Sequence, residues 1–354
     1  MTIQSEPVAM QSVNDPLVWA VYDANSEDTA KLNYKYIADV YINSVLVFRA
    51  KIYPDVNYFG VFDLSTVIRQ YVNAAFKAEQ AAGEFTIEAE IKFGEEYDFV
   101  AYPDLVISTY TLANYYNGRR SDTLALADFE DFPATIRDKD IEIVEGSDAY
   151  YVPYYATTTT PFDVVVNGTT TTITPTAANT MHRINIADPA ATANYTADID
   201  GTVYNVKLVC DNMYKAYYLH FLNQYGGWES MLFNKASKKT YNVDRKSYQQ
   251  LPYRVSDAGA VSIKSGNVMN DQRTVFGVQY DEKIKIMTDW VSDNNYKWLR
   301  QLVCSPFIYL QDGDTLYSCM IEGSNYEEKT YNTDSLSMLS LDISFGVKHN
   351  TQFR

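Results

Sequence analysis

Strict alternation of apolar and polar residues constrains the fold of this chain more than any other feature. Residues 85–93 (FTIEAEIKF) have an apolar side chain at every second position, with Thr, Glu or Lys between. Because successive side chains of a strand point to opposite faces, this period of two predicts a strand with one buried face. Residues 34–42, 45–53 and 339–347 repeat the pattern. We therefore expect a mainly β chain of two or three sandwich-like β-units with a few inserted helices, and α+β character in the C-terminal third.

Two segments have helical instead of strand periodicity. Residues 64–82 repeat apolar side chains at helical spacing, and Asp63 or Ser65 can cap the first turn. Residues 292–303 show the same spacing before Pro306, which cannot continue a helix. Both segments are predicted to be helices.

A hairpin is predicted at residues 163–173 (DVVVNGTTTTI). Asn167 and Gly168 supply the positive φ angles that a type I′ turn needs between two β-branched runs. The threonines make both faces polar, as in an exposed β-ribbon. Because an isolated hairpin is marginally stable at best, we expect this hairpin, the N-terminal residues 1–16 or both to lie at contacts between subunits.

A second bend is predicted at Gly226 and Gly227, which lie between two apolar segments. Paired glycines permit a tight turn that other residues resist. Trp228 follows directly and is either a core residue or an exposed anchor. The core is favoured, because tryptophan is heavily buried on average.

Changes of pattern along the chain predict its domain organisation. The predicted parts are an N-terminal arm (1–16), a β-sandwich-like domain with one helix (17–120), a connecting segment (121–148), a β-domain with a projecting Thr-rich hairpin (149–255) and an α+β C-terminal domain (256–354). The arm is polar and has no features of a signal peptide.

Composition bears on partners and compartment. The chain has 29 basic and 45 acidic residues and a net charge of −16, so we expect neither DNA wrapping nor sequence-specific nucleic-acid binding. No stretch approaches the ~18–20 apolar residues of a membrane span, and none is predicted. Cys210, Cys304 and Cys319 form no disulfide framework, which favours folding in a reducing cytoplasm. The 31 tyrosines favour strands and a large contact surface.

The familiar motifs of catalysis and cofactor binding are missing from the sequence. It has no GxxxxGK[ST], GxGxxG, GxSxG or HExxH motif, so we expect no enzyme, no cofactor and no metal site. Glu95-Glu96 and Glu327-Glu328 are candidates for the paired carboxylates of glycoside hydrolysis. Solvated loops are the preferred interpretation of both pairs.

Other polar residues are better explained by structure than by chemistry. Asp198 and Asp200 resemble half of a calcium loop, but a β-turn is favoured because the other ligands are missing. His220 lies in the apolar run YYLHFL and is expected to be a satisfied core or interface histidine. Arg119 and Arg120 either contact a carboxylate of a neighbouring subunit or form a simple surface pair.

Three segments carry a family resemblance. They are residues 48–72 (FRAKIYPDVNYFGVFDLSTVIRQYV), 217–248 (YYLHFLNQYGGWESMLFNKASKKTYNVDRKSY) and 339–354 (LSLDISFGVKHNTQFR). They resemble structural proteins of tailed phages that infect Bacteroidota, of the crAss-like type. The resemblance implies a virion protein, made in the host cytoplasm, that forms a ring or collar in the neck or tail below the portal. It implies no catalytic residues, and the Thr-rich hairpin at 157–176 has no counterpart in it.

The sequence thus predicts a structural protein whose partners are copies of itself and neighbouring portal, neck or tail proteins. The resemblance implies twelve-fold symmetry. Two alternatives stay open: a receptor- or glycan-binding tail protein, and a glycan-degrading tail enzyme. Gly60 and Asp63 are expected at bends, and the predicted interface residues are Arg119, Arg120, Asn167, Gly168, Gly226, Gly227 and Trp228.

Overall fold

The chain folds into two compact units that consist mainly of β-strands, as the alternation predicts. Unit 1 contains Met1–Cys210, His220–Met231 and Lys297–Pro306, and unit 2 contains Asp211–Leu219, Leu232–Tyr296 and Phe307–Arg354. This computed structural model describes residues 1–97, 106–118, 131–210, 214–249, 253–263, 273–323, 336–346 and 349–350.

The first 210 residues supply most of unit 1. Their elements are β1 (Thr2–Ser5), β2 (Val18–Tyr22), a 3-10 turn (Ala24–Glu27), β3 (Lys35–Ile42), β4 (Val45–Ile52), β5 (Phe59–Asp63), α1 (Ser65–Arg69), β6 (Glu79–Gln80), β7 (Thr86–Glu96), β8 (Val106–Tyr116), β9 (Phe132–Pro133), β10 (Asp140–Val144), β11 (Tyr151–Ala156), β12 (Phe162–Val166), β13 (Thr169–Ile173), β14 (Thr180–Asn185), β15 (Tyr195–Ile199) and β16 (Thr202–Val209).

The later elements supply the rest of unit 1 and all of unit 2. They are β17 (Tyr217–Leu222), β18 (Trp228–Phe233), β19 (Lys238–Gln249), β20 (Tyr253–Val255), β21 (Val261–Ile263), β22 (Arg273–Met287), β23 (Val291–Ser292), α2 (Asp293–Cys304), β24 (Ile308–Asp312), β25 (Thr315–Glu322), β26 (Leu336–Ser337), β27 (Ser340–Phe345) and β28 (His349–Asn350). The division between the units passes through β17, β18 and α2. The predicted helix at 292–303 is thus confirmed as α2.

One core of unit 1 is formed by two small sheets, with strand orders β1-β2-β5 and β4-β3-β7-β8. The Trp19 ring meets Tyr115 edge-on at 6.1 Å, and Phe62 lies 5.9 Å from Phe93. The alternation at 85–93 is confirmed in β7 and the residue before it, because the buried side chains are Phe85, Ile87, Ala89, Ile91 and Phe93.

Gly60 and Asp63 have local reasons for their positions in β5. A Cβ on Gly60 would lie 2.6 Å from the buried Tyr36 ring, so only glycine fits there. The Asp63 carboxylate accepts hydrogen bonds from the amides of Leu17 and Ser65, at 3.2 and 3.0 Å. It thereby fixes the passage from β5 into α1.

The predicted hairpin at 163–173 is confirmed as β12 and β13. Asn167 and Gly168 have φ angles of 49° and 78°, and Val166 lies opposite Thr169. The hairpin does not stand alone, however, because β12 also pairs with β15 in a sheet of order β10-β16-β15-β12-β13. In this sheet, β13 is an edge strand with exposed threonines.

The segment predicted as an N-terminal arm belongs to unit 1. Thr2 and Ile3 of β1 pair with Tyr22 and Val21 of β2. Val13 is fully buried, and its amide donates to the Tyr116 carbonyl at 3.0 Å. Residues 1–16 are therefore part of a packed sheet and its flank, which polar composition alone did not indicate.

The helix predicted at 64–82 is wrong beyond its first turns. It ends at Arg69, since α1 covers Ser65–Arg69 only. Further along, the Ala75 carbonyl accepts a hydrogen bond from the Trp228 ring nitrogen at 2.9 Å, and Phe76 packs edge-on against the same ring at 4.9 Å. These long-range contacts hold the segment in a non-helical conformation, which the helical spacing of its apolar residues did not predict.

Unit 2 is built on a sheet in which β24, β25, β27, β22 and β19 lie side by side. Its longest strands, β19 and β22, have 12 and 15 residues and pair antiparallel from Lys238 opposite Lys285 to Gln249 opposite Arg273. We call these two strands the ribbon. In the part of the chain that the structure describes, no helix is long and apolar enough to cross a membrane.

Candidate functional site

The Gly226-Gly227 bend is held by the side chain of Asn223. Its Oδ1 accepts hydrogen bonds from the amides of Tyr225 and Gly227, at 3.0 and 2.9 Å. Its Nδ2 donates to the Ala134 carbonyl at 2.6 Å. One buried amide therefore closes the turn and ties it to a distant segment of unit 1.

Both glycines allow other segments to come close. Gly226 has a φ of +84°, and a Cβ there would lie 1.7 Å from the Asn117 carbonyl oxygen. A Cβ on Gly227 would lie 2.3 Å from Cβ of Pro153. The prediction of a tight bend is confirmed. The prediction of two interface residues is wrong, because both glycines are buried within unit 1.

Trp228 is fully buried, so it is a core residue and not an exposed anchor. Its ring packs edge-on against Phe76, and its ring nitrogen is satisfied by the Ala75 carbonyl. Its assignment to an interface is therefore wrong as well. A buried tryptophan usually finds a hydrogen-bond partner for its N–H, as this one does.

Glu229 is a fully buried carboxylate among donors from three segments of unit 1. Asn223 donates to it at 2.5 Å, and the Trp298 ring nitrogen donates to its other oxygen. The side chain of Thr135 also hydrogen-bonds to it, and the Arg137 charge acts on it. Burial nevertheless raises the pKa of Glu229, because desolvation disfavours the ionised form more than these partners favour it.

Arg137, whose charge acts on Glu229, also contacts the surrounding aromatic side chains. It donates to the Tyr150 hydroxyl at 2.7 Å and to the Ser230 carbonyl at 3.2 Å. Its guanidinium lies over the Trp298 ring at 4.6 Å. We call Arg137, Asn223, Glu229 and Trp298 the buried hub.

His220 has the satisfied core environment that the sequence favours. It is fully buried, and its Nδ1 lies 2.7 Å from the Ser230 hydroxyl, which also accepts from the Tyr151 amide at 2.8 Å. Its ring lies 5.4 Å from Phe76.

The candidate carboxylates of the sequence have structural partners. Glu95 is buried and accepts hydrogen bonds from Asn25 at 2.9 Å and from the Tyr34 hydroxyl at 2.7 Å, so it is not in a solvated loop. Glu96 forms an ion pair with Lys51. Glu327 and Glu328 lie outside the described residues.

The remaining predicted site residues are dispersed. Asp200 has a φ of 47° in a β-turn, and the described residues contain no group of three or more acidic, His or Cys side chains able to hold a metal ion. Asn167 donates to Asp188 at 2.7 Å in the exposed hairpin turn. Arg119 and Arg120 lie outside the described residues. Cys304 is exposed and Cys319 buried, and both are free thiols.

Sequence reasoning missed the buried hub. Glu229 follows Trp228 in the apolar run WESMLF, and an acid in such a run was the available signal. Arg137 and Trp298 lie far from Glu229 in the sequence. The spacing of residues along the chain therefore could not predict that the three side chains come together.

Sequence reasoning also missed the ribbon as an exposed surface. All residues of β19 are exposed except Ser247, which is half-buried. Among the described residues, β27 pairs with β22 from Lys283 to Met287, and β28 adds a short pairing at Gln279 and Tyr280. The exposed large apolar residues of the ribbon are Tyr241, Val243, Tyr248, Val275 and Phe276.

A groove of about 790 Å³ lies on the sheet face at the base of the ribbon. Its aromatic lining includes Tyr280, Tyr317 and Phe345, and Tyr317 meets Phe345 edge-on at 5.8 Å. The Lys239–Glu282 ion pair, 2.8 Å between charged atoms, borders it. The groove thus combines stacking surfaces with polar side chains.

Comparison with known proteins adds no assignment: no protein-family model matches the chain, and no curated protein matches its sequence. The phage resemblance therefore stays a prediction.

The glycines of the bend provide a test of its packing. We expect Gly226→Ala and Gly227→Ala each to lower the free energy of unfolding by at least about 2 kcal/mol, because the added methyl overlaps atoms of other segments. Gly201→Ala is the matched control, since its φ of +83° is nearly that of Gly226 and nothing lies within 4 Å of its Cβ. It should cost only about 1 kcal/mol. Equal costs in urea denaturation for Gly226→Ala and Gly201→Ala would contradict the close packing.

The raised pKa of Glu229 predicts a pH-dependent stability. Between the unfolded pKa of a glutamate, about 4.3, and the higher folded value, the folded state binds the extra proton, so stability falls as pH rises. Glu229→Gln cannot ionise and lacks this component. The free energy of unfolding of the wild type, minus that of Glu229→Gln, should therefore decrease as pH is raised from 4 to 8. A difference that stays constant, or that increases, would show that the pKa is not raised.

Proposed function

We propose that this chain is an architectural subunit of a tailed-bacteriophage virion, which assembles with copies of itself into a ring in the neck or tail. The exposed ribbon is the observation that carries the proposal. Where neither β27 nor β28 pairs with β22, the described ribbon has only two strands. A solvated two-stranded ribbon is marginally stable, and this one exposes several large apolar residues that water does not favour. Such a surface gains stability when it packs against a neighbouring subunit.

The edge strand β13 is a second assembly element. Thr169–Thr172 are exposed, and the strand has no charged residue or proline of the kind that usually protects an edge. Its unpaired backbone groups are suited to receive a strand from a neighbour. This is the role that the sequence suggested for the hairpin at 163–173.

The family resemblance supports the same class of function. Within its central segment (217–248), Asn223 to Ser230 build the turn and its contacts with the hub in the interior of unit 1. Motifs that stabilise the interior of the fold are expected in a subunit with a structural role in an assembly. The twelve-fold symmetry and the place below the portal come from the resemblance alone.

A glycan-binding tail protein is the second candidate, and the aromatic groove of unit 2 favours it. Tyr280, Tyr317 and Phe345 offer rings on which a sugar can stack, and Lys239 and Glu282 offer hydrogen bonds. If this is the function, purified chain should bind polysaccharide from the host surface, and Tyr317→Ala should weaken binding about tenfold. Binding that is absent, or that Tyr317→Ala leaves unchanged, would exclude the groove as a glycan site.

Labelling of particles tests the ring proposal. Antibodies against the purified chain, with immunogold detection on negatively stained particles of the encoding phage, should mark the neck or tail. Antibodies against a head protein are the control and should mark the head. If gradient-purified particles lack the chain, or if label appears only on tail fibres, the ring proposal is wrong.

A further inference from the structure

We propose that the ribbon binds an acidic surface centred on edge strand β10 of a second copy of this chain. This inference rests on the proposed function and names the two surfaces that would meet. The distribution of charge along the chain, the ion pairs within each copy and the exposure of the ribbon support it.

Charge is divided unevenly along the chain. Residues 235–285, which include the ribbon, contain ten Lys and Arg against five Asp and Glu, whereas the rest of the chain contains 19 against 40. A basic projection on a strongly acidic protein is electrostatically complementary to the remainder of another copy.

Several basic side chains of the ribbon form no ion pair with an acid among the residues that the structure describes. Lys238 lies directly opposite Lys285, and like charges in that position repel. Arg245, Lys246 and Arg273 are exposed. None of the ion pairs formed by the described residues includes any of these five. Their charge is therefore available to a partner.

The apolar residues of the ribbon favour a protein partner over a nucleic acid. Tyr241 and Val243 share one face of β19 with Arg245, and both are about half exposed, whereas Lys238 and Lys246 lie on the other face. Duplex DNA would also attract the basic side chains, but it would meet the excess of negative charge on the rest of the chain. When the partner is a second copy, the acidic residues of that copy attract the basic residues of the ribbon.

The edge strand β10 is the acidic surface that fits best. Residues 138–148 contain five acids against one lysine, and β10 pairs only with β16 on one side among the described strands. Along β10, Ile141 and Ile143 are buried while Asp140 is exposed and Glu142 is half-buried, so the acids line the outer side. Glu142 is paired with Lys207 at 2.8 Å.

The two surfaces are suited to ring formation. The ribbon belongs to unit 2 and β10 to unit 1, so each copy can donate its ribbon to one neighbour and receive a ribbon from another. A contact between two different surfaces is heterologous, and it closes into a ring when the rotation between copies permits. Twelve paired residues at about 3.4 Å each give β19 a length of about 40 Å, more than enough to cover the five residues of β10.

A charge-swap experiment tests the contact. Isotope-labelled and unlabelled full-length chains are mixed and treated with a carbodiimide, which joins lysine directly to Asp or Glu, and cross-links between copies are identified by mass spectrometry. We expect cross-links from Lys238 and Lys246 to residues 138–148. Lys238→Glu/Lys246→Glu and Asp140→Lys/Glu145→Lys should each reduce them about tenfold. Mixing these two variants should restore them with the roles of lysine and acid exchanged.

The control variant Arg69→Glu/Arg300→Glu changes net charge equally at two exposed positions of unit 1 and should leave the cross-links unchanged. Cross-links between copies that avoid the ribbon would overturn the inference and leave the proposed function standing. The absence of any cross-link between copies would also overturn it, and the particle labelling would then decide the function independently. Salt-sensitive binding of duplex DNA that Lys238→Glu/Lys246→Glu abolishes, without ribbon-to-β10 cross-links, would overturn it in favour of a nucleic acid.

Discussion

The side chain of Asn223 makes the contact on which the organisation of unit 1 depends. It closes the Gly226-Gly227 turn, binds the Ala134 carbonyl and donates to the buried Glu229 carboxylate. Because Trp298 donates to the same carboxylate and the Arg137 charge acts on it from another distant part of the sequence, one local turn fixes the position of several segments. A buried charge is costly unless its partners are in place, so this network favours a single arrangement of these segments.

The local pattern of the sequence was sufficient to predict the strands and the turn at Asn167-Gly168. Alternation at 85–93 and the demand for positive φ are properties of neighbouring residues, and the structure follows them. The prediction of a helix at 64–82 was wrong beyond its first turns. Trp228, about 150 residues away, hydrogen-bonds to the Ala75 carbonyl and packs against Phe76. The buried hub was missed for the same reason, since its members converge only in the folded chain.

The predicted interface residues illustrate how a motif can be conspicuous without lying at the surface. Gly226, Gly227 and Trp228 are distinctive because the interior of unit 1 requires them, and they are buried there. The exposed ribbon, although β19 lies within the resemblance segment 217–248, is recognised only in the folded chain, where β19 pairs with β22 over a longer stretch than β27 does. The proposal of an assembly function therefore rests on the exposed ribbon. The motif around Gly226, Gly227 and Trp228 explains the packing of the interior of unit 1.

A cryo-EM reconstruction of the particle that contains this chain would show whether the ribbon is an assembly surface. We expect several copies around one axis, with the ribbon of each copy (Lys238–Gln249 and Arg273–Met287) packed against the next. Trp228 and Glu229 should stay in the interior of every copy. A single isolated copy, or a ring in which both faces of the ribbon are exposed to solvent, would show that the ring proposal is wrong.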